Sequence, residues 1–245
     1  MAQSPIDITR DLLDPADLPP LRFDYGPDAV SEACFVVANG DETAGRAAAI
    51  PQVALTVRPG RASLEVGDVG YVLESLHWHT PSEHLVDGVA FPMELHLVHR
   101  QPETGDILVV GVLSIDGPHE PVLDSVFAGF EGFRSRACFE VPGFDLNGLL
   151  PDDMASYRYV GSLTTADRDG VFAEGVQWVL LTTPVEVARS QVEVHQRLVD
   201  SVLVSQKFEG KATFDQSRPN PPGNAREAQP VGDRRVLTDD RRLGR

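Results

Sequence analysis

The chain has 245 residues, with 21 Lys+Arg against 37 Asp+Glu and a formal net charge of −16 at pH 7. An acidic excess of this size repels phosphate backbones and anionic lipid, which argues against nucleic acid or a membrane surface as partner, and apolar runs such as residues 107–113 are too short to span a bilayer. With 42% hydrophobic residues, 24% charged residues and only 2 Cys, this is ordinary globular material that can form at most one disulfide.

Residues 1–5 offer neither a basic start nor an apolar h-region, so the sequence as written reads as cytoplasmic; a start further upstream would make export the expectation instead. Residues 11–20, rich in Pro, Asp and Leu, read as a loop over the surface. Short β-branched or alternating runs predict strands over 53–57, 62–66, 69–78, 93–99, 107–115 and 176–182. Between the last two, Val122, Leu123, Val126, Phe127 and Phe130 recur at helical spacing within 120–133. Val192, His195, Leu198, Val199 and Val202 do the same after Ser190. Residues 217–229 form a Pro/Asn/Gly/Arg-rich loop, and 237–245 read as a charged, mobile tail. No βαβ alternation occurs, so the expected fold is mainly β (α+β). It is a single domain over residues 1–236, built on a large twisted, mostly antiparallel central sheet with a few short surface helices.

The histidines are concentrated: five of the seven, His77, His79, His84, His96 and His99, fall within residues 77–99. Asp87-Gly88, between two strand-like runs, is a strong type I′ hairpin signal because both central residues of that turn need positive φ. In an ideal two-residue hairpin centred there, paired positions sum to 175, which sets His79 opposite His96 and leaves His77 on the same face. Pro81 and Pro92 cannot donate to the ladder and must interrupt it near the turn, so the shared face is better determined than the pairing. Glu94 shares the parity of His96 and can fix the tautomer of that imidazole, while Leu95, Leu97 and His99 point to the other side. A lone His-x-His on a strand is most often a structural pair. Three imidazoles on one face with a carboxylate and no Cys form instead the donor set of a catalytic zinc site with a fourth position left open.

At these residues the sequence resembles the α-class, or eukaryotic-type, carbonic anhydrases. The family's elements stand here as His77-Trp78-His79, Ser82-Glu83-His84 and Glu94-Leu95-His96-Leu97-Val98-His99. Further matches are Gln3-Ser4-Pro5, Asn39-Gly40, Val110-Gly111-Val112, Tyr159 to Thr165, Val176-Gln177-Trp178 and Asn224 to Pro230. The resemblance implies one zinc ion per chain on His77, His79 and His96, supported by Glu94 and His84, and reversible hydration of carbon dioxide to bicarbonate and a proton. It implies that Thr164 accepts a hydrogen bond from the zinc-bound nucleophile while donating its own proton to Glu83. A hydroxyl committed in that way can only accept, and so aims the nucleophile's lone pair at substrate. Val98, Val109, Leu163, Thr165, Val176 and Trp178 match the wall where carbon dioxide rests. A small uncharged substrate is best held by an apolar pocket.

The sequence also departs from the family pattern. The proton-carrying histidine that many members place after the Asn-Gly turn is replaced by Asp41, and Glu74 is the other candidate relay. Carboxylates with a pKa near 4 exchange protons poorly with a water near 7, so the expectation is a slower enzyme whose rate depends on buffer. A larger polar family residue is here Ser75, and Ala166-Asp167 follow Thr165 where the family has prolines. Cys34 and Cys138 match no family bridge and read as reduced core thiols. The alternative function is a catalytically weakened binding relative with the same fold; oligomeric state is left open.

Overall fold

The structure is a computed structural model and describes residues 2–38, 50–130, 138–166, 171–208 and 224–244. Asn39, Gly40, Asp41, Asp167 and residues 217–223 of the predicted loop lie outside the described residues, as does the side chain of Val202. Among the described residues fifteen strands follow in chain order: β1 (Asp7–Ile8), β2 (Leu13–Pro15), β3 (Leu21–Tyr25), β4 (Val30–Ala38) and β5 (Ile50–Val57) come first. Then come β6 (Ala62–Val66), β7 (Val69–His79), β8 (Leu85–Val86), β9 (Val89–Ala90) and β10 (Met93–Arg100). The last are β11 (Ile107–Asp116), β12 (Cys138–Glu140), β13 (Ser156–Ser162), β14 (Glu174–Val187) and β15 (Val236–Thr238).

Twelve strands form one sheet in the order β12-β4-β5-β7-β10-β11-β14-β13-β15-β2, with β3 and β6 attached beside β7. Pairing is antiparallel except for β11 with β14 and β15 with β2, in line with the expected mostly antiparallel sheet. All six predicted strands are present. Alternation along β7 and β10 sends Leu76, Trp78, Leu95 and Leu97 into the larger apolar core. It turns His77, His79 and His96 to the opposite face. A second core, including Ile6, Val109, Trp178 and Leu180, lies toward that face.

The first predicted helix is α1 (Pro121–Phe127), continued by a 3-10 turn over Ala128–Phe130. Pro121 suits the first turn, where its missing N–H is not needed, and Glu120 Oε1 accepts from Val122 N at 3.0 Å. The second, α2 (Arg189–Phe208), has 20 residues and is not the short surface helix expected. Gln191 at its start bonds the main chain of Glu120 and the Asp124 carboxylate, tying the two helices together. Among the described residues no helix is long and apolar enough to cross a membrane.

Three expectations are corrected. Residues 11–20 are not only loop, because β2 closes one edge of the sheet against β15. Residues 237–244 are not a free tail: β15 pairs with β13, Thr238 is buried, and Asp239 Oδ1 accepts from Ser156 N at 2.8 Å. Cys34 and Cys138 are not reduced core thiols. They sit directly opposite each other on β4 and β12 and form a disulfide, with Cys138 at the surface.

Candidate metal centre and active-site pocket

The turn at Asp87-Gly88 has the predicted form, with φ of 50° and 76°, and β8 and β9 pair as Leu85↔Ala90 and Val86↔Val89. Beyond it the register changes. β7 and β10 pair as His96↔His77 and Glu94↔His79, so His79 is not opposite His96 as the ideal hairpin required. The arm of residues 80–84 is longer than that of 91–92, and Ser82 joins the arms through Phe91 N to its Oγ and its own N to Phe91 O. The offset is two residues, an even number, so every side chain keeps its face; an offset of one would have reversed them.

The three imidazoles converge, with ring centroids 5.0 Å apart for His77–His79, 5.2 Å for His77–His96 and 4.6 Å for His79–His96. Their ligating atoms lie within 4.8 Å of one another. Two of the rings are aimed by bonds on the far side. His79 Nδ1 meets the Asn224 carbonyl at 3.0 Å, and His96 Nε2 meets Glu94 Oε1 at 2.8 Å, leaving His79 Nε2 and His96 Nδ1 for the centre. The Nε2 atoms of His77 and His79 are buried without a hydrogen-bond partner among the described residues. Such bare nitrogens are costly unless something accepts their lone pairs, and three neutral imidazoles suit zinc. Burial keeps the imidazoles neutral: it holds His77 well below its ordinary value, His79 at about 4 against the pull of Asn224, and His96 low despite Glu94.

Glu94, fully buried, receives four donors. Oε2 accepts from Glu83 N and His84 N at 2.9 Å each, and Oε1 lies 2.7 Å from His84 Nδ1 and 2.8 Å from His96 Nε2. Burial alone would raise this carboxyl, yet the two imidazoles hold it well below the usual carboxylate range. Gly111 on β11 stands opposite His96 and makes room for the Glu94 carboxylate. A Cβ there would lie 2.9 Å from Glu94 Oε1 and 2.6 Å from Leu180 Cδ1. His84 continues the chain of contacts from its Nε2 to Tyr159 Oη at 2.7 Å, and Tyr159 donates to Ser4 Oγ at 3.0 Å.

Beside the imidazoles lies a pocket of about 240 Å³ lined by Val98, Val109, Leu163, Thr165 and Trp178, five residues expected there, together with Thr164, expected to orient the nucleophile, and Gln52, Ala54 and Ser75. Val176 is not on this wall; it is buried in the second core. Trp178 closes the inner end, its ring 4.9 Å from that of His96 and its Nε1 bonded to the Ser162 carbonyl at 2.9 Å. Glu83 is buried next to the rings, its Oε1 accepting from Arg226 N at 2.7 Å. Burial raises its carboxyl, while His96 and the hydroxyl of Thr164 favour the ionised form. Its Oε2 is buried without a hydrogen-bond partner among the described residues. Glu74 is not on the pocket wall. It sits at the irregularity where Val98 pairs with Ser75 and His99 with Leu73, and its Oε1 accepts from Arg100 Nε at 2.8 Å.

Sequence reasoning assigned no role to Asn224, Gln52 or Ala54. Asn224 acts on His79 from 145 residues away, a separation at which no local pattern signals contact.

A family model for eukaryotic-type carbonic anhydrase matches residues 1–240. A carbonic anhydrase of Neisseria gonorrhoeae is 32% identical over 199 residues, which are 81% of this chain and 70% of that protein. The α-carbonic anhydrase of Thermovibrio ammonificans, solved with the inhibitor sulfanilamide, superposes with a TM-score of 0.71 at 29% identity, covering 96% of this chain and 86% of that one. Dioscorin complexed with ascorbate superposes with a TM-score of 0.74 at 26% identity, covering 97% and 85% respectively.

Proposed function

The chain belongs to the eukaryotic-type carbonic anhydrase family, and we propose that it is a zinc-dependent enzyme that reversibly hydrates carbon dioxide to bicarbonate and a proton. The observation that carries this reading is the convergence of His77, His79 and His96, with bare buried nitrogens, beside a largely apolar pocket that His77 and His96 help to line. His77, His79 and His96 would hold one zinc ion, which would supply a Lewis acid able to bring the pKa of water to about 7 and so a nucleophile at neutral pH.

The chain's own residues do the rest. Glu94 and the Asn224 carbonyl keep His96 and His79 in the tautomers that present a lone pair to the metal. Glu83, fixed by Arg226 N, draws the Thr164 proton, so that the Thr164 oxygen accepts from the nucleophile and orients it. Val98, Val109, Leu163 and Trp178 hold carbon dioxide dry beside it. Glu74 is committed to Arg100, which leaves Asp41 as the carboxylate proposed for proton relay, with solvent buffer carrying much of the flux. The expected sign is a hydration rate that rises with imidazole buffer concentration. The disulfide supports an oxidising compartment and replaces the cytoplasmic expectation in this proposal.

Stoichiometric zinc analysis with stopped-flow hydration of carbon dioxide, on the protein and on His96→Ala, tests the reading. Bound zinc and buffer-dependent hydration in the parent, both lost in His96→Ala, are expected. Zinc bound without hydration would favour the weakened binding relative and overturn the enzyme.

A further inference from the structure

His195 of α2 is fully buried, yet it belongs to neither the metal centre nor the pocket. Its Nδ1 lies 2.7 Å from Thr80 Oγ1, and its ring packs tilted against that of Phe127 of α1, with centroids 5.4 Å apart. Thr80 directly follows His79 and is itself buried. The main chain of Thr80 is held by the same residue that aims His79: Thr80 N donates to Asn224 Oδ1 at 2.9 Å, while the Asn224 carbonyl meets His79 Nδ1 at 3.0 Å. Asn224 is in turn anchored by donating to the carbonyls of Pro51 and Trp78. The end of β7 and Thr80 after it are therefore clamped twice, through the main chain by Asn224 and through the Thr80 side chain by His195.

We infer that His195 is a positioning residue for the metal ligand His79, acting through Thr80. This rests on the reading of His79 as a ligand. An imidazole swings about its Cα–Cβ bond, so its nitrogen can be aimed only if the peptide that carries it is fixed. Asn224 fixes one side of that peptide; without the bond to His195, the Thr80 side chain would be free to rotate and the Thr80–Asn224 bond to loosen with it. Burial holds His195 down at about 3, so the ring is neutral near pH 7 and the bond there does not depend on charge. The role also explains a polar ring at a helix position that the 3.6-residue pattern marks as apolar: Phe would fill the space, but it could not bind Thr80.

The test uses zinc-loaded protein and the rate of zinc loss to excess chelator, well below the unfolding temperature. His195→Phe keeps the ring and removes the nitrogen; Thr80→Val keeps the volume and removes the hydroxyl. Each is expected to speed zinc loss about 10-fold, and the double variant no more than either single, because both break one bond. His195→Asn, whose side-chain amide reaches a similar position, should restore most of the retention. Phe130→Leu loosens core packing beside α1, where its ring meets those of Phe35 and Phe139, and should lower the melting temperature while zinc loss is unchanged. Zinc loss within twofold of the parent in both single variants would overturn the inference. Hydrogen exchange of the Thr80 amide in zinc-free protein separates this from the functional reading. Lost protection in His195→Phe supports the anchor even if the parent held no zinc, and unchanged protection overturns it even if the parent did.

Discussion

Replacing Glu94 by Gln changes one oxygen for an amide nitrogen at a point where four donors converge. The two oxygens of Glu94 each take two N–H groups, from Glu83 N and His84 N on one side and from His84 Nδ1 and His96 Nε2 on the other. A Gln side chain has a single acceptor oxygen, so in either orientation its NH2 faces two donors. If the oxygen stays with the main-chain pair, the two imidazoles lose their acceptor, and His96 can shed the clash only by moving its proton to Nδ1, the atom that must be bare for the metal. If it turns to the imidazoles, two buried main-chain N–H groups are stranded. Each stranded donor costs about 1–3 kcal/mol, so Glu94→Gln should lose roughly 2–6 kcal/mol of stability and bind zinc about 10–100-fold more weakly. Urea unfolding of the zinc-free proteins at constant m-value gives the first quantity, and competition with a chromophoric chelator gives the second. Glu94→Gln with the parent's unfolding midpoint, and zinc affinity within twofold, would refute the assignment of Glu94 as the group that orients His96.

Gly111→Ala should act on the same carboxylate from the far side. A Cβ placed 2.9 Å from Glu94 Oε1 and 2.6 Å from Leu180 must push one of them away, so zinc affinity falls along with a stability loss of about 1–3 kcal/mol; a loss of stability with zinc affinity intact would show that only Leu180 moved. Acid should unfold the zinc-free protein. Burial lowers His99 to about 4 and His195 to about 3 from 6.5, so the unfolded chain takes up these protons first. Their stabilising effect is complete above pH 6.5 and is lost as pH falls through that window, at about 2.7 kcal/mol per pH unit near pH 5 for two protons. Uptake of fewer than about two protons on unfolding at pH 5, followed by potentiometry, would contradict this. Reducing Cys34–Cys138, which closes a sequence separation of 104 residues, should cost about 2–5 kcal/mol in urea unfolding, and an unchanged midpoint would show that the unfolded chain does not feel the link.

Much of the site was legible locally. Asp87-Gly88 announces its turn because only a few residues tolerate positive φ, and His77, His79, Glu94 and His96 share a face because side chains on a strand alternate with a period of two. Neither property depends on the rest of the molecule. Register is different in kind: it depends on how residues 80–84 and 91–92 are used, and here the longer arm brings the Glu83 and His84 amides onto Glu94, so His96 meets His77 and not His79. Glu74 likewise looked like a rim carboxylate until the irregularity in β7 and the approach of Arg100 removed it from the wall.

The sequence by itself determined which atoms could hold a metal and on which side of the sheet they would lie, since those follow from residue chemistry and backbone sterics within a few residues. Only the tertiary structure decided how they are aimed. Asn224 and His195 reach the end of β7 from 145 and 115 residues away, and Cys138 and β15 dock on strands the linear pattern does not pair them with. A hydrogen bond between distant segments leaves no period in either of them. Its partners are chosen when strands and helices pack and each buried polar atom must find a complement.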